Sequence, residues 1–243
     1  MQIKSHPYRG RFRGGFNIMK VTYYGQSCLE LEINGVKILF DPFITHNPLA
    51  KNVDVNSLKP DFILVSHGHG DHIADLFTIQ KNSGAKVVCI AEIADWLSKK
   101  DVTNVHGMNI GGAFNFEFGR VKMVNAVHSS TLPDGTPGGN PAGFVVYAAG
   151  KKIYFAGDTA LTYDMKLLED ENLDWAILPI GDNYTMGIDD AIKATGFFNC
   201  KNVIGVHYDS FPVIKIDKNE AMDKFIKAGL VLKLPAVGET LSL

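Results

Sequence analysis

The chain has 243 residues, of which 24 are Lys or Arg and 26 are Asp or Glu, so its formal net charge is −2. With 46% apolar and 21% charged residues, the composition is typical of a globular protein and excludes a disordered or fibrous chain. The near-neutral charge gives no overall attraction to nucleic acid or to an anionic membrane. No apolar run reaches the roughly 18 residues that a membrane-spanning helix needs.

Residues 1–18 are rich in Gly and Arg and show neither a strand period nor a helix period, so we predict a flexible N-terminal extension. A small basic arm formed by Arg9, Arg11 and Arg13 is the alternative interpretation. No linker or low-complexity segment follows, and residues 19–243 are therefore predicted to form a single domain.

From residue 19 onward, short β-rich runs bounded by Gly, Asn and Pro alternate with helical stretches, which predicts a mixed protein of strands and helices. The predicted strands are 20–24, 28–33, 36–40, 61–65, 86–90, 113–118, 121–127, 143–149, 152–156, 175–179 and 202–206. The predicted helices are 72–81, 91–99, 163–171, 188–198 and 217–228. Two-residue hairpin turns are predicted at Asn34-Gly35 and at Ala149-Gly150.

Four side chains with metal affinity fall within six residues, directly after the predicted strand 61–65. They are His67, His69, Asp71 and His72. The two intervening glycines let the backbone turn tightly enough for several of these side chains to converge. His67 and His69 can face one ion, while Asp71 and His72 begin the next helix and can face a second. Imidazole together with carboxylate suits zinc, manganese or iron.

Three further polar residues each follow an apolar predicted strand, where they would project from the same edge of a sheet. They are His128, Asp158 and His207. Burying so many ionisable groups together is unfavourable without a counter-charge, so the pattern predicts bound metal ions, and two ions rather than one.

The run HGHGDH at residues 67–72 resembles the HxHxDH signature of the metallo-β-lactamase superfamily. The segments VTYYGQSCLEL, FDPFITHNP, GNPAGFVV, YFAGDT, LPIGDNYTMG and GVHYDSFP resemble the UPF0173 group of metal-dependent hydrolases. That group is related to ascorbate-6-phosphate lactonases and to the phospholipase D-like enzymes that cleave N-acyl phosphatidylethanolamines.

The resemblance implies an α+β fold, a four-layer αββα sandwich with a dinuclear site at one edge. On the family's pattern, the ligands of the first metal would be His67, His69 and His128. The ligands of the second would be Asp71, His72 and His207, and Asp158 would bridge both ions. Asp71 and Asp158 are also the expected catalytic carboxylates, and Asp41 would orient a ligand loop.

The expected cofactors are two divalent ions, zinc first and manganese or iron as alternatives. Such ions lower the pKa of a shared water, so hydrolysis by a hydroxide nucleophile is the expected reaction. Candidates for the leaving-group acid or for substrate contacts lie in the segments 181–186 and 208–209. They are Asp182, Asn183, Thr185 and Tyr208. His46 is either a surface turn residue or part of the mouth of the site.

The leading hypothesis is a hydrolase that acts on a small ester, lactone or phosphorylated metabolite. A phosphodiesterase or nuclease of the same superfamily and a non-catalytic metal-binding scaffold are the alternatives. Nucleic acid is disfavoured because the chain is slightly acidic. Homo-oligomers are expected from the resemblance, and the absence of an apolar leader together with three dispersed cysteines predicts a cytoplasmic location.

Overall fold

The structure is a computed structural model that describes residues 18–243. All but the last residue of the predicted extension 1–18, including the arginines of the alternative basic arm, lie outside this range. The division into an extension and a single domain, residues 19–243, stays a prediction.

Fourteen strands are present in the described part of the chain. They are β1 Met19–Gly25, β2 Cys28–Ile33, β3 Val36–Phe40, β4 Phe62–Leu64, β5 Lys86–Ile90, β6 Val105–Met108, β7 Ala113–Phe116, β8 Gly119–Asn125, β9 Ala142–Ala148, β10 Lys151–Phe155, β11 Trp175–Pro179, β12 Asn202–Val206, β13 Val231–Lys233 and β14 Thr240–Ser242. The α-helices are α1 Gly70–Ile73, α2 Leu76–Ser83, α3 Ala91–Ser98, α4 Ile188–Phe197 and α5 Lys218–Lys227. Short 3-10 helices span Val55–Ser57, Tyr163–Glu171 and Pro212–Ile214. No helix within residues 18–243 is long and apolar enough to cross a bilayer.

The strands form two mixed sheets of seven strands each. The first has the order β14-β1-β2-β3-β4-β5-β6 and the second the order β13-β12-β11-β10-β9-β8-β7. Both predicted hairpin turns are confirmed. Asn34 and Gly35 join β2 to β3, and Ala149 and Gly150 join β9 to β10, with positive φ at all four residues as this type of tight turn requires.

Alternate residues of the second sheet face two different apolar cores, as the period of a strand requires. Phe155 and its neighbours on one face pack against the first sheet, where the Phe155 and Phe40 ring centroids are 4.7 Å apart. Tyr154 and its neighbours on the other face pack under helices that include α4 and α5. Buried residues of α2 and α3, such as Ile79 and Ile93, pack against the first sheet. These layers confirm the predicted α+β αββα sandwich.

The predicted helix 72–81 is wrong as a continuous helix, because α1 ends at Ile73 and α2 begins at Leu76. Asp75 lies at the break, and its buried carboxylate accepts hydrogen bonds from the backbone N–H groups of Ile44 and Thr45. This tie to the loop after β3 is a long-range contact that helix periodicity does not reveal.

Other differences concern the edges of the sheets. The predicted strand 121–127 ends at Asn125, so His128 lies in a loop three residues beyond β8 rather than at its end. The predicted helix 163–171 is a 3-10 helix. Strands β6, β13 and β14 were not predicted, since each has only three or four residues and is identified as a strand by its pairing with a distant neighbour.

Candidate metal centre

The predicted ligand residues come together where loops from the two sheets meet. The loop after β4 and the start of α1 carry His67, His69, Asp71 and His72, whereas the loops after β10 and β12 carry Asp158 and His207. His128 lies on the long connection from β8 to β9. The site therefore exists only when the two sheets are packed on each other.

The first group is formed by His67, His69 and His128, whose ligand atoms all lie within 4.8 Å of one another. His67 Nε2 is 3.0 Å from His69 Nδ1. His67 is fully buried, while His69 and His128 are partly exposed toward solvent. This arrangement leaves one side of the group open.

The second group is formed by Asp71, His72, Asp158 and His207, again with ligand atoms within 4.8 Å of one another. His72 Nε2 is 3.3 Å from Asp71 Oδ2, and His207 Nε2 is 3.7 Å from the same oxygen. A tetrahedral ion with ligands at about 2.0–2.2 Å holds neighbouring ligand atoms about 3.3–3.6 Å apart. The spacing of this group fits such an ion.

Asp158 lies between the two groups. Its Oδ2 atom is 3.2 Å from His72 Nε2 and 3.0 Å from His207 Nε2 in the second group. The same oxygen is 3.6 Å from His128 Nε2 and 4.0 Å from His67 Nε2 in the first group. This central placement suits the predicted bridging role.

The residue before Asp158 must be glycine. Gly157 has φ +63°, and a Cβ atom there would lie 2.8 Å from both the carbonyl oxygen of Ala142 and the Cβ of Ser66. Only a residue without a side chain fits this close approach, which brings the end of β10 next to the loop that carries His67.

Asp41 contacts His72 directly and His67 through Ser66, and so touches both groups. Its Oδ2 accepts a hydrogen bond from Nδ1 of His72 at 2.8 Å, and it also accepts the hydroxyl proton of Ser66 at 2.5 Å. With its own proton donated, Ser66 Oγ can accept from Nδ1 of His67, which is 2.9 Å away. Both imidazoles thereby keep a proton on Nδ1, so that Nε2 is the nitrogen of each ring that can bind an ion once it carries no proton.

Gln26 also supports the site, although sequence reasoning did not identify it. Its Nε2 donates to Asp71 Oδ2 at 2.9 Å, and its carbonyl oxygen accepts the backbone N–H of His207 at 3.0 Å. Gln26 is fully buried and has φ +52°, in the tight turn between β1 and β2. The only signal in the sequence is a polar Gln-Ser pair between two apolar strands.

Carboxylates and burial shift the pKa values of the imidazoles in the cluster in opposite directions. Burial alone lowers the pKa of His72, but the carboxylates of Asp158 and Asp71 raise it well above its usual value. Burial likewise opposes protonation of His207, yet Asp158 raises the pKa of His207 to about 9. In contrast, burial and the neighbouring His72 hold the pKa of His67 well below its usual value.

Two atoms at the centre of the cluster are buried and form no hydrogen bond within the described part of the chain. They are His72 Nε2 and Asp158 Oδ1. Buried polar atoms normally have a partner, because an unpaired one lowers stability. Imidazole nitrogens and carboxylate oxygens are the ligands that zinc, manganese and iron accept, so the chemistry of these atoms fits a metal.

A cavity of about 600 Å³ opens onto the cluster. Its lining includes His69, Asp71, His128, Asp158 and His207 together with Ser129, Tyr184, Phe211, Pro212 and Val213. Of the predicted ligands, His67 and His72 lie behind this surface, fully buried.

The predicted substrate contacts lie elsewhere. Asp182, Asn183 and Thr185 are not among the lining residues, although Tyr184 of the same segment is. Tyr208 is buried and stacks on Tyr23, with ring centroids 6.4 Å apart. The functional roles of these four residues stay predictions.

Comparison with known proteins identifies the family. The sequence model of the family described as the β-lactamase superfamily domain matches residues 36–208 of this chain. A UPF0173 metal-dependent hydrolase of Flavobacterium johnsoniae is 52% identical over 226 residues, which cover 93% of this chain and 100% of the relative. Another from Christiangramia forsetii is 53% identical over 227 residues, with the same coverage of both chains. The solved structure of Igni18, a metallo hydrolase from Ignicoccus hospitalis, is 35% identical with a TM-score of 0.84 over 93% of this chain and 98% of that chain.

The fold and the ligand cluster thus define a protein of the β-lactamase superfamily. Within it, the chain belongs to the UPF0173 metal-dependent hydrolases. This membership confirms the family resemblance found in the sequence and the prediction of a metal-dependent hydrolase.

Proposed function

We propose that the chain uses a dinuclear metal centre to hydrolyse a small, uncharged carboxylic ester or lactone. His67, His69 and His128 would hold one divalent ion, and Asp71, His72 and His207 the second. Asp158 would be shared, and zinc is the expected metal, with manganese or iron as alternatives. Two such ions, when bound, supply a water of lowered pKa and polarise the substrate oxygen.

The chain's own residues define how the substrate meets this centre. Asp71 is the more exposed of the two proposed catalytic carboxylates, with 25% of its side chain accessible against 2% for Asp158. Asp41 and Ser66 keep the ligand imidazoles in one protonation form and one orientation. In the overall reaction, water adds to the acyl carbon, the ester C–O bond breaks, and the alcohol leaves with a proton from that water.

The observation that carries the choice of substrate is the lining of the cavity. No Lys or Arg of residues 18–243 lines it, and Tyr184, Phe211, Pro212 and Val213 give it a largely apolar wall on the side away from the cluster. A phosphorylated substrate or a nucleic acid would be expected to need basic side chains to bind its anionic groups. The uncharged ester or lactone is therefore favoured over the phosphorylated metabolite and over the phosphodiesterase alternative.

The test is turnover by metal-reconstituted protein of paired chromogenic substrates, namely carboxylic esters and lactones against phosphodiesters. We expect metal-dependent hydrolysis of the esters or lactones, and its loss after chelation and in His67→Ala and Asp71→Ala. Turnover of phosphodiesters alone, or turnover that survives chelation, would contradict the proposal.

The cellular setting belongs to the same proposal. Cys28, Cys89 and Cys200 are all buried free thiols, which supports a reducing compartment and hence the cytoplasm. A small-molecule substrate is expected from the size of the cavity, and assembly into homo-oligomers remains a prediction.

A further inference from the structure

A second cavity, of about 590 Å³, lies beside the metal centre. We name it the aromatic cavity. Its apolar wall is made by Phe43, Ile73, Ala74, Phe77, Trp96 and Pro133. The sequence predicts that His46 is either a surface turn residue or part of the mouth of the site. In the structure, His46 lines the aromatic cavity and not the cavity at the metal centre.

The aromatic cavity and the cavity at the metal centre are neighbours. Gly70, which lines the aromatic cavity, lies in the chain between His69 and Asp71, which line the other. Across the same boundary, the Phe43 ring centroid is 6.2 Å from that of Phe211. Gly70 is exposed, and a Cβ atom added there would meet nothing within 4 Å, so no side chain separates the two cavities at this position.

The wall of the aromatic cavity is held in place by polar contacts at its rim. Trp96 Nε1 donates to Asp134 Oδ2 at 2.6 Å, and Lys100 Nζ is 3.2 Å from the same carboxylate oxygen. Lys100 Nζ also lies 4.7 Å from the centroid of the Trp96 ring. Because the charged groups are paired with each other, the surface left for a ligand consists mainly of ring faces and aliphatic carbon.

We propose that the aromatic cavity binds the apolar acyl arm of the ester whose carbonyl carbon lies at the metal centre. This inference rests on the proposed function and narrows its substrate class to esters of medium-length aliphatic or aryl-substituted acids. Phe77 and Trp96, with ring centroids 5.6 Å apart, determine specificity by contacting that arm, and neither takes part in the chemical step.

The kinetic test compares p-nitrophenyl acetate with p-nitrophenyl hexanoate in Phe77→Ala. Phe77 is 36% exposed on α2, so its removal leaves the main core intact. We expect kcat/KM for the hexanoate to fall about 10-fold through a higher KM, since apolar contact area is lost, with little change for the acetate. Phe114→Ala is the matched control, because Phe114 is 47% exposed on β7 and lines neither cavity.

A binding measurement separates this inference from the proposed function. The chain has two tryptophans, so Trp175→Phe leaves Trp96 as the only one. Titration of this metal-loaded variant with hexanamide should change Trp96 fluorescence saturably, and adding Phe77→Ala should weaken that binding about 10-fold.

Two results together would overturn the inference while the proposed function stands. The protein would hydrolyse both esters with Phe77→Ala affecting each equally, and Trp96 fluorescence would not respond to hexanamide. A saturable response of Trp96 in a protein that hydrolyses neither these esters nor the lactones would support the apolar ligand site and overturn the proposed function instead.

Discussion

At the scale of single residues, the candidate site depends on a few buried side chains that touch no solvent. Asp41 is the clearest example, since it contacts His72 directly and reaches His67 through Ser66. A single carboxylate therefore orients one ligand of each proposed ion. Removal of the Asp41 carboxylate should therefore weaken the binding of both ions, whereas removal of a residue that contacts only one group should weaken the binding of one ion.

We expect Asp41→Asn to lower metal affinity and turnover about 10–100-fold, because the amide is a weaker acceptor for the three protons that Asp41 now accepts from Ser66 and His72. Metal content after dialysis and kcat/KM are the measurements. Asp170→Asn on the exposed surface is the matched control. Full metal content in Asp41→Asn would contradict the orienting role.

Gln26 supports only the second group, through Asp71 and the backbone of His207. Gln26→Ala should weaken the binding of one ion about 10-fold and leave the other unchanged. Stepwise metal titration followed by calorimetry would resolve the two affinities. Gln80→Ala, on α2, provides the comparison, and an equal weakening of both ions in Gln26→Ala would count against the assignment.

Metal binding should release protons in a way that depends on pH. In the metal-free protein the pKa of His207, raised to about 9 by Asp158 against the effect of burial, leaves its imidazole protonated at about pH 7. An incoming ion must displace that proton, and also the proton that the raised pKa of His72 retains, so apparent affinity should rise with pH through about pH 9. Calorimetry in buffers of different ionisation enthalpy should detect more released protons at about pH 7 than at about pH 9.5. Equal proton release at the two values would be the contrary result.

These residues also show what the sequence could reveal of the site. The spacing of HGHGDH and the polar residues after three predicted strands identified all seven residues of the cluster, although these residues come from loops of two sheets rather than from one edge of a single sheet. Gln26 and Ser66 were not assigned supporting roles, since each role comes from a contact with a side chain that folding brings near. Tyr184 was named only as part of a segment, and a loop side chain cannot be placed on a cavity wall from the sequence.

At the scale of helices and strands, the break between α1 and α2 begins two residues after His72, the last residue of the HGHGDH run. Asp75 lies at this break and binds the loop after β3, whose first residue is Asp41. These hydrogen bonds of Asp75 therefore connect the segment that follows the HGHGDH run to the loop that begins with Asp41.

Asp75→Ala should lower the free energy of unfolding by more than roughly 4 kcal/mol, since it removes three hydrogen bonds to a charged group, each of which contributes roughly 1.5–3 kcal/mol. Thr45→Ala removes the hydroxyl that also donates to Asp75, together with an exposed methyl group, and should lower the free energy of unfolding by roughly 1.5–3 kcal/mol. Urea unfolding of metal-loaded protein would measure both values. A loss in Asp75→Ala no larger than that in Thr45→Ala would show that the backbone contacts contribute little.

The elements that periodicity predicted well are those with enough residues to show it, such as β1, whose buried and half-buried residues alternate. The strands β13 and β14 have only three residues each, too few for a period to be recognised in the sequence, and they join the sheets because β12 and β1 offer free edges. Propensity and pattern are local, whereas edge pairing is decided by the assembled sheet.

At the scale of the whole molecule, the packing of the two sheets on each other brings the residues of the cluster together. Phe40 of the first sheet and Phe155 of the second pack on each other in the shared core. Phe40 ends β3 one position before Asp41, and Phe155 ends β10 three positions before Asp158. Packing of the core therefore sets the relative positions of groups that belong to different sheets.

The central claim, that the seven residues form a centre for two ions, is tested most directly by counting metal ions per folded chain with native mass spectrometry. The account predicts two ions in the wild type, one in His69→Ala and one in His207→Ala, with ester turnover lost in both variants. A wild-type chain that turns over ester fully with a single ion would contradict it.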